Sequence, residues 1–435
     1  MKRIALCCLT ACFALTMAAQ NFTSYFTGNQ SDLSTQALGG VCLMGGATED
    51  DNAMRWFLER ANGGDVLVIR ASGSDGYNGY LYSDLGVNVN SVETIVFHNA
   101  AAAADPHVLD RISKAEAIWI AGGNQANYVN YWRNNEVANL INEGLLQRNI
   151  VIGGTSAGMA ILGGSYFSAV NGTVNSFTAL SNPYGSSMAV DHTPFIRVPY
   201  LQNVITDTHY DNPDRRGRHL TFLARAMTDT GENFRGIACD EYTAVCIDES
   251  GLARIFGTYP DFDDNAYFLI PNCGLADSSP EVCASGEELT WDHNGEAVKV
   301  YAVKGTPSGL YSIDLNDWLT SEGGSWQNWS AQSGSFSATN GTEPDCLTSS
   351  TVDIKGGAEF RIYPNPNDGG LVYIETINPL ADAEVRVLDM HGRQLQSWTS
   401  LGPNSQLNVS RLAAGTYFLE YRSDNQRSAR RLLVR

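Results

Sequence analysis

Asn149-Ile-Val-Ile-Gly-Gly-Thr-Ser-Ala-Gly158 is the stretch that decides the fold. Ile150 to Ile152 is wholly apolar, without the alternation of a strand that faces water on one side. Glycines follow at once, and a helix-like stretch begins near Met159. A buried strand turning sharply into a helix belongs to an α/β architecture. The expected class is a doubly wound, mostly parallel sheet covered by helices on both faces.

The same pattern recurs towards the N-terminus. Val41-Cys-Leu-Met-Gly-Gly46, Asp65 to Arg70, Val92 to Phe97 and Ala117 to Ala121 are further short apolar runs. Helical spacing links them over Asp50–Ala61, Asp105–Lys114 and Tyr128–Glu143. Ligands of such sheets bind beyond the carboxyl ends of the strands, where glycine and small polar residues cluster here. Val298 to Val303 still reads as a strand of this domain. From Phe360 onward only strands and turns are legible, the pattern of a small β-sandwich. The expected division is an export signal at 1–20, a catalytic domain at 21–315, a linker or loose β region at 316–357, and the sandwich at 358–435.

Lys2 and Arg3, the apolar run Ile4–Met17 and the small residues Ala18 and Ala19 read as the signal, with cleavage near Ala19 or Gln20. Leu9-Thr-Ala-Cys12 offers a competing lipoprotein box. No later stretch reaches the roughly 18 apolar residues of a helical membrane span. Beyond the signal stand Cys42, Cys239, Cys246, Cys273, Cys283 and Cys346, an even count compatible with disulfides in an exported protein. Cys273–Cys283 and Cys239–Cys246 are candidate pairs, and Cys42 reads as a buried thiol. No Cys/His spacing suggests a metal site. The formal net charge is −19, and 358–435 holds nine Arg against eight acidic residues, so the acidity lies before it. That field disfavours nucleic acid and suits a cationic substrate.

Gly154-Thr-Ser-Ala-Gly158 fits G-x-S-x-G in the strand-to-helix setting that a nucleophile elbow requires. The competing reading is a glycine-rich turn without chemistry. Ser156 is the candidate nucleophile, and the Ala157 N–H points where an oxyanion would form. Two partner sets are available. Asp263 or Asp264 with His293 lies in polar stretches. His209 follows the run Leu201–Thr206, and Glu241 follows Gly236–Cys239. Strand-end placement favours the order Ser156, His209, Glu241.

With these residues in view the chain resembles the cyanophycinase-like serine peptidases of family S51, relatives of aspartyl dipeptidases, over about Val41 to Val303. The blocks are Ala121-Gly-Gly-Asn-Gln125, Gly154 to Gly158, Asp207-Thr-His-Tyr210 with Arg215-Arg-Gly-Arg218, and Gly236 to Ala244. The resemblance implies a class I glutamine amidotransferase-like fold. It implies Ser156 as nucleophile, His209 as base and Glu241 as its carboxylate partner. It further implies Gly123 beside Ala157 as an oxyanion donor, and Asn124, Gln125, Asp207, Arg215 and Arg218 as substrate-binding residues. Thr208, Asn124 and Pro213 depart from the pattern, which has Gln before the histidine, Asp in the glycine block, and another Arg.

The C-terminal region resembles type IX secretion sorting domains of Bacteroidetes. Ile362-Tyr-Pro-Asn-Pro366, Val387 to Gly392, Leu412 to Tyr417 and the basic end Arg430 to Arg435 carry that likeness. The expected function is a secreted exopeptidase acting on aspartyl-linked peptides, cyanophycin to β-Asp-Arg dipeptides foremost, without metal or organic cofactor. The alternatives are an α-aspartyl dipeptidase and a catalytically inactive surface binding module. Expected partners are a peptide substrate, the type IX machinery and, as an open alternative, a second copy in a homodimer. No nucleic-acid partner is expected.

Overall fold

The structure is a computed structural model. It describes residues 20–346, 360–363, 365, 367, 370–376, 384–389, 393–399, 404–423 and 426–435. The expected export signal falls almost wholly outside these residues. Two compact units divide the chain after Cys346.

The first unit holds two sheets. The larger begins with β1 (Phe22–Gly28), β2 (Val41–Met44), β3 (Asp65–Arg70), β4 (Ser91–Phe97), β5 (Ala117–Ile120) and β6 (Val151–Thr155). Their spatial order is β1-β4-β3-β5-β6-β2, followed by Ala244–Ile247, Leu252–Phe256, Ser312–Asp314 and Ser321–Glu322. The five central strands, β4-β3-β5-β6-β2, run parallel. Val66, Leu67, Val68 and Ile69 of β3 are all buried. Burial of such side chains favours folding by about 1.5–3 kcal/mol each. Odd and even positions pack into different clusters. Leu67 and Ile69 join helices Pro106–Lys114, Gln125–Trp132 and Glu136–Glu143, while Val66 and Val68 join Asp51–Arg60. Both faces are therefore covered, which is why these strands do not alternate.

The second sheet has the order 335–340, 325–332, 298–304, 265–271, 235–239, 204–207. Val204–Asp207 runs parallel to Arg235–Cys239, and the other pairs are antiparallel. Helix Arg216–Thr230 covers its outer face through Leu220, Leu223 and Met227. The 316–357 stretch, expected as a linker or loose β region, is divided. Ser325–Gln332 and Ser335–Asn340 extend this sheet, Trp329 is fully buried, and 347–357 lie outside the described residues. A Ser/Asn/Gly-rich composition concealed strands whose exposed face is polar.

Other departures have local causes. The single helix expected over Tyr128–Glu143 is two, Gln125–Trp132 and Glu136–Glu143. Asn134 takes φ +61°, and the Asn135 side chain caps the second helix by accepting from Val137 N at 3.1 Å. The helix after Ser156 is one turn, Ala157–Ala160. Gly163 and Gly164 follow shortly, and a Cβ on Gly164 would lie 1.6 Å from Gln202 O. Neither expected disulfide forms. Cys273 pairs with Cys346, while Cys239 and Cys246 are free and buried, with Cys246 Sγ 3.6 Å from Cys42 Sγ.

The second unit holds a three-stranded sheet, 360–363, 371–376 and 404–408, and a four-stranded sheet, 394–399, 384–388, 415–423 and 426–434. Val372, Ile374, Val385, Val387, Leu407 and Leu419 form its core. Val385 and Val387 alternate with half-buried neighbours, as in a sheet with one buried face. Trp398 packs against that core, while His391 lies outside the described residues.

Candidate active site

Strand β6 ends at Thr155, and Ser156 turns the chain with φ +52° and ψ −116°. That backbone is costly for a residue with a Cβ and persists only where its surroundings impose it. Glycines impose it here. A Cβ on Gly158 would meet Ile120 O at 2.0 Å, and one on Gly154 would meet the Gly158 carbonyl carbon at 2.6 Å. The two glycines let the turn close against itself and against β5. Ser156 N donates to Met44 O at the end of β2, at 3.1 Å.

His209 follows the strand Val204–Asp207, and Glu241 follows Arg235–Cys239. These parallel neighbours in the second sheet bring both side chains to one edge. His209 also has a left-handed backbone, φ +47°. His209 Nδ1 lies 2.5 Å from Glu241 Oε1, and Nε2 lies 2.8 Å from Ser156 Oγ. With the Nδ1–H donated to Glu241, Nε2 is left to accept the serine proton. Asn212 Nδ2 approaches the other oxygen, Glu241 Oε2, at 3.5 Å, and Glu241 N donates to Asp211 Oδ1 at 2.9 Å.

The glycines after β2 join the two sheets. His209 N donates to Gly45 O at 2.8 Å, Gly45 N to Thr243 O at 2.9 Å, and Tyr242 N to Gly46 O at 3.2 Å. Gly45 has no room for a side chain, since a Cβ would lie 1.9 Å from Asp240 O. Gly46, at φ +124°, sits against the His209 ring, where a Cβ would meet it at 2.5 Å. Sequence reasoning assigned these glycines no role. Their signal was available, because Gly45-Gly46 ends a buried strand as Gly122-Gly123 does.

The expected oxyanion residues flank Ser156. Ala157 opens the one-turn helix, and a Cβ on Gly122 would lie 3.6 Å from Ser156 Cβ, which sets the Gly122-Gly123 loop beside the serine. The substrate-binding expectations divide. Asn124 is the cap of helix Gln125–Trp132, its side chain accepting from Ala126 N at 3.0 Å. Gln125 Nε2 donates to Phe167 O at 3.2 Å. Asp207 and Arg218 are 2% and 4% exposed and bind each other, through Nε–Oδ2 at 2.8 Å and Nη2–Oδ1 at 2.5 Å. Arg218 Nη1 donates to Val174 O at 3.1 Å. This buried pair is internal structure, so Arg218 and Asp207 are not free to hold a substrate. Burial pushes the Asp207 carboxyl up, but the Arg218 guanidinium outweighs it and holds the group below its ordinary range. Arg215 remains half-buried, with Nη1 on Thr208 O at 2.9 Å. Burial and the neighbouring Arg218 lower its affinity for its proton.

His192, His219 and His293 are engaged elsewhere. His293 Nε2 meets Ser279 O at 2.8 Å, and His192 lies between Ser165 and Asp229. His219 is fully buried between Tyr210 and Ile205 O. The 167–196 segment is docked on the fold. Its helix Ser176–Ser181 packs Ala179 and Leu180 into the second sheet's cluster, and Tyr184 OH donates to Asp229 at 2.5 Å. Among the described residues no group of His, Cys, Asp and Glu has a metal-holding arrangement.

Comparison with known proteins adds the following. Residues 76–255 match the model of peptidase family S51, and 361–435 match that of the secretion system C-terminal sorting domain. The S51 match includes Ser156, His209 and Glu241. The sorting tail assigns the chain to type IX secretion, to the cell surface or outside. Cyanophycinases from Synechococcus elongatus and Thermosynechococcus vestitus are each 25% identical over 227 residues, 50% of this chain and 66% of theirs. The match thus spans slightly less than two thirds of those relatives. A solved peptidase from an acI-B1 Actinobacterium is 15% identical with a TM-score of 0.40, over 54% of this chain and 91% of that one.

Proposed function

We propose that this chain, which carries a peptidase family S51 segment and a type IX sorting tail, is a secreted serine peptidase acting at aspartyl linkages. The observation that carries the reading is the hydrogen-bonded series Ser156–His209–Glu241, closed at 2.8 and 2.5 Å across two sheets. Ser156 Oγ attacks the scissile carbonyl carbon as its proton passes to His209 Nε2. The carbonyl oxygen becomes an oxyanion facing the Ala157 and Gly123 N–H groups. His209 then gives the proton to the leaving amine, and an acyl-enzyme remains on Ser156. Water, deprotonated by His209, releases the acid by the reverse sequence. Glu241 stays ionised, holding the imidazole in the required tautomer and stabilising its cation.

Cyanophycin is the first substrate to test, because two relatives of the matched segment are cyanophycinases. Arg215 is the guanidinium left to meet a substrate carboxylate once Arg218 is committed to Asp207. The test is release of β-Asp-Arg by the mature protein, with Ser156→Ala alongside. Dipeptide from the wild type alone supports the whole reading. Silence from a folded wild type that still reacts with a fluorophosphonate at Ser156 removes cyanophycin and keeps the peptidase. Silence in both assays removes the peptidase.

A further inference from the structure

His219 is a fully buried histidine that the triad does not use, and its bonds lead to the residue beside His209. Its Nε2 lies 3.1 Å from Ile205 O, a carbonyl that can only accept, so the ring proton sits on Nε2. Nδ1 is then an acceptor, and Tyr210 OH donates to it at 3.0 Å. Burial lowers the affinity of the imidazole for a second proton and raises that of the phenol for its own, which keeps both groups neutral. Gly236 leaves room for the ring, since a Cβ there would lie 2.9 Å from His219 Cε1 and Nε2.

Tyr210 is anchored by backbone and ring alike. Its N donates to Cys239 O at 3.2 Å, and its O accepts from Arg215 N at 3.0 Å. The residue is 1% exposed. Its ring stands edge-on to His219, with centroids 5.5 Å apart, and is stacked on Trp329 at 6.2 Å. Trp329, on strand Ser325–Gln332, is held in turn by Phe336 at 5.4 Å and by donating Nε1–H to Gln327 Oε1 at 2.8 Å. Trp329 lies outside residues 76–255, which match family S51, so this support is not carried by the matched segment.

His209 needs such an anchor. Its φ of +47° is costly for a residue with a Cβ and persists only where the neighbours impose it. The bond from His209 N to Gly45 O, at 2.8 Å, fixes one side of the strained unit. Tyr210 fixes the other. A small rotation of the peptide between His209 and Tyr210 would carry Nε2 away from Ser156 Oγ, which it meets at 2.8 Å.

We propose that Tyr210 is a positioning residue for His209, with its hydroxyl on His219 and its ring on Trp329 holding the strained backbone that aims the imidazole at Ser156. The role rests on the Ser156–His209 pair being reactive, but the placement of the ring is measurable without turnover.

Tyr210→Phe keeps the ring and removes only the bond to His219. In protein confirmed folded by circular dichroism, fluorophosphonate labelling of Ser156 should slow by about 10-fold. Trp329→Leu should slow it at least as much, and Trp329→Phe, which keeps a ring, should label within about 3-fold of the wild type. Tyr210→Phe/His219→Leu should label no more slowly than the slower single variant, because both changes act through one contact. The proton between His209 Nδ1 and Glu241, followed by NMR and assigned by its loss in His209→Gln, should shift in Tyr210→Phe and Trp329→Leu alike. A Tyr210→Phe protein that melts lower but labels at the wild-type rate with an unmoved resonance would overturn the proposal, since Tyr210 would then serve the core alone. Additive losses in the double variant would overturn it as well. A wild type that does not label sinks the peptidase reading, and the resonance then decides the positioning role by itself.

Discussion

Ser156 is held by backbone, whereas His209 and Glu241 are held by backbone bonds to Gly45 and its neighbours and by charged side chains as well. On the nucleophile side, Gly154 and Gly158 lock the turn against β5, and no residue from Gly154 to Gly158 titrates in the ordinary range. On the other side, the strand bearing His209 ends in the buried Asp207–Arg218 pair. Asp211, Asp240 and Asn212 surround Glu241, supplied by loops at the ends of two strands. The nucleophile half is thus a geometric device, and the base half is an electrostatic one. Substitutions that alter charge without volume should separate them.

Glu241→Gln should have the largest effect. It keeps an oxygen near His209 Nδ1 but removes the charge that fixes the tautomer and stabilises the imidazolium. Fluorophosphonate labelling of Ser156 should slow by about 10²- to 10⁴-fold. The melting temperature should change little, because Glu241 is not fully buried. Labelling at the wild-type rate would mean that Ser156 is activated without a charged partner for His209.

Asp207→Asn comes next and acts on stability. It leaves Arg218, a residue only 4% exposed, without its counter-ion. Removing one partner of a buried pair costs about 3–5 kcal/mol. Denaturant unfolding should show a loss of that size, and an Asp207→Asn/Arg218→Met double variant should recover part of it. A loss below about 1 kcal/mol would show that the pair is solvated and that Arg218 is available to ligands after all.

This asymmetry also explains what the sequence disclosed. The elbow is local, with strand, glycines and serine inside ten residues, so Ser156 could be assigned from pattern and context. The parallel core was legible for the same reason, as runs such as Asp65–Arg70 are apolar on both faces. His209 and Glu241 were placed by strand ends and resemblance, and the second sheet that unites them was not foreseen. Its outer strands are Ser- and Asn-rich, and the chain crosses from one sheet to the other at Glu241–Thr243. Arg218 was misplaced because an R-x-x-R spacing on a helix does not reveal which guanidinium turns inward. That depends on Asp207, eleven residues away in sequence.

The smallest expected effect concerns Asp240, next to Glu241 and 3% exposed. Asn265 N and Nδ2 serve its Oδ2, while its Oδ1 has no hydrogen-bond partner among the described residues. Burial pushes this carboxyl up to about 7, against the bonds from Asn265, with Asp211 and Asp264 adding to the rise. In the unfolded chain it should titrate near 4. The folded state therefore binds the extra proton between about pH 4 and 7, and its stability should fall as pH rises through that window. The fall attributable to this group is on the order of 2–4 kcal/mol. Asp240→Asn is neutral throughout, so its unfolding free energy should lack this fall. It should match the wild type near pH 4 and exceed it near pH 8. Because Asp240 abuts Gly45, where the two sheets meet, its ionisation should also change the fluorophosphonate labelling rate between pH 6 and 8. Parallel stability curves for variant and wild type would show that Asp240 is ionised and paired in the folded protein. The charge-sensitive half of the site would then end at Glu241.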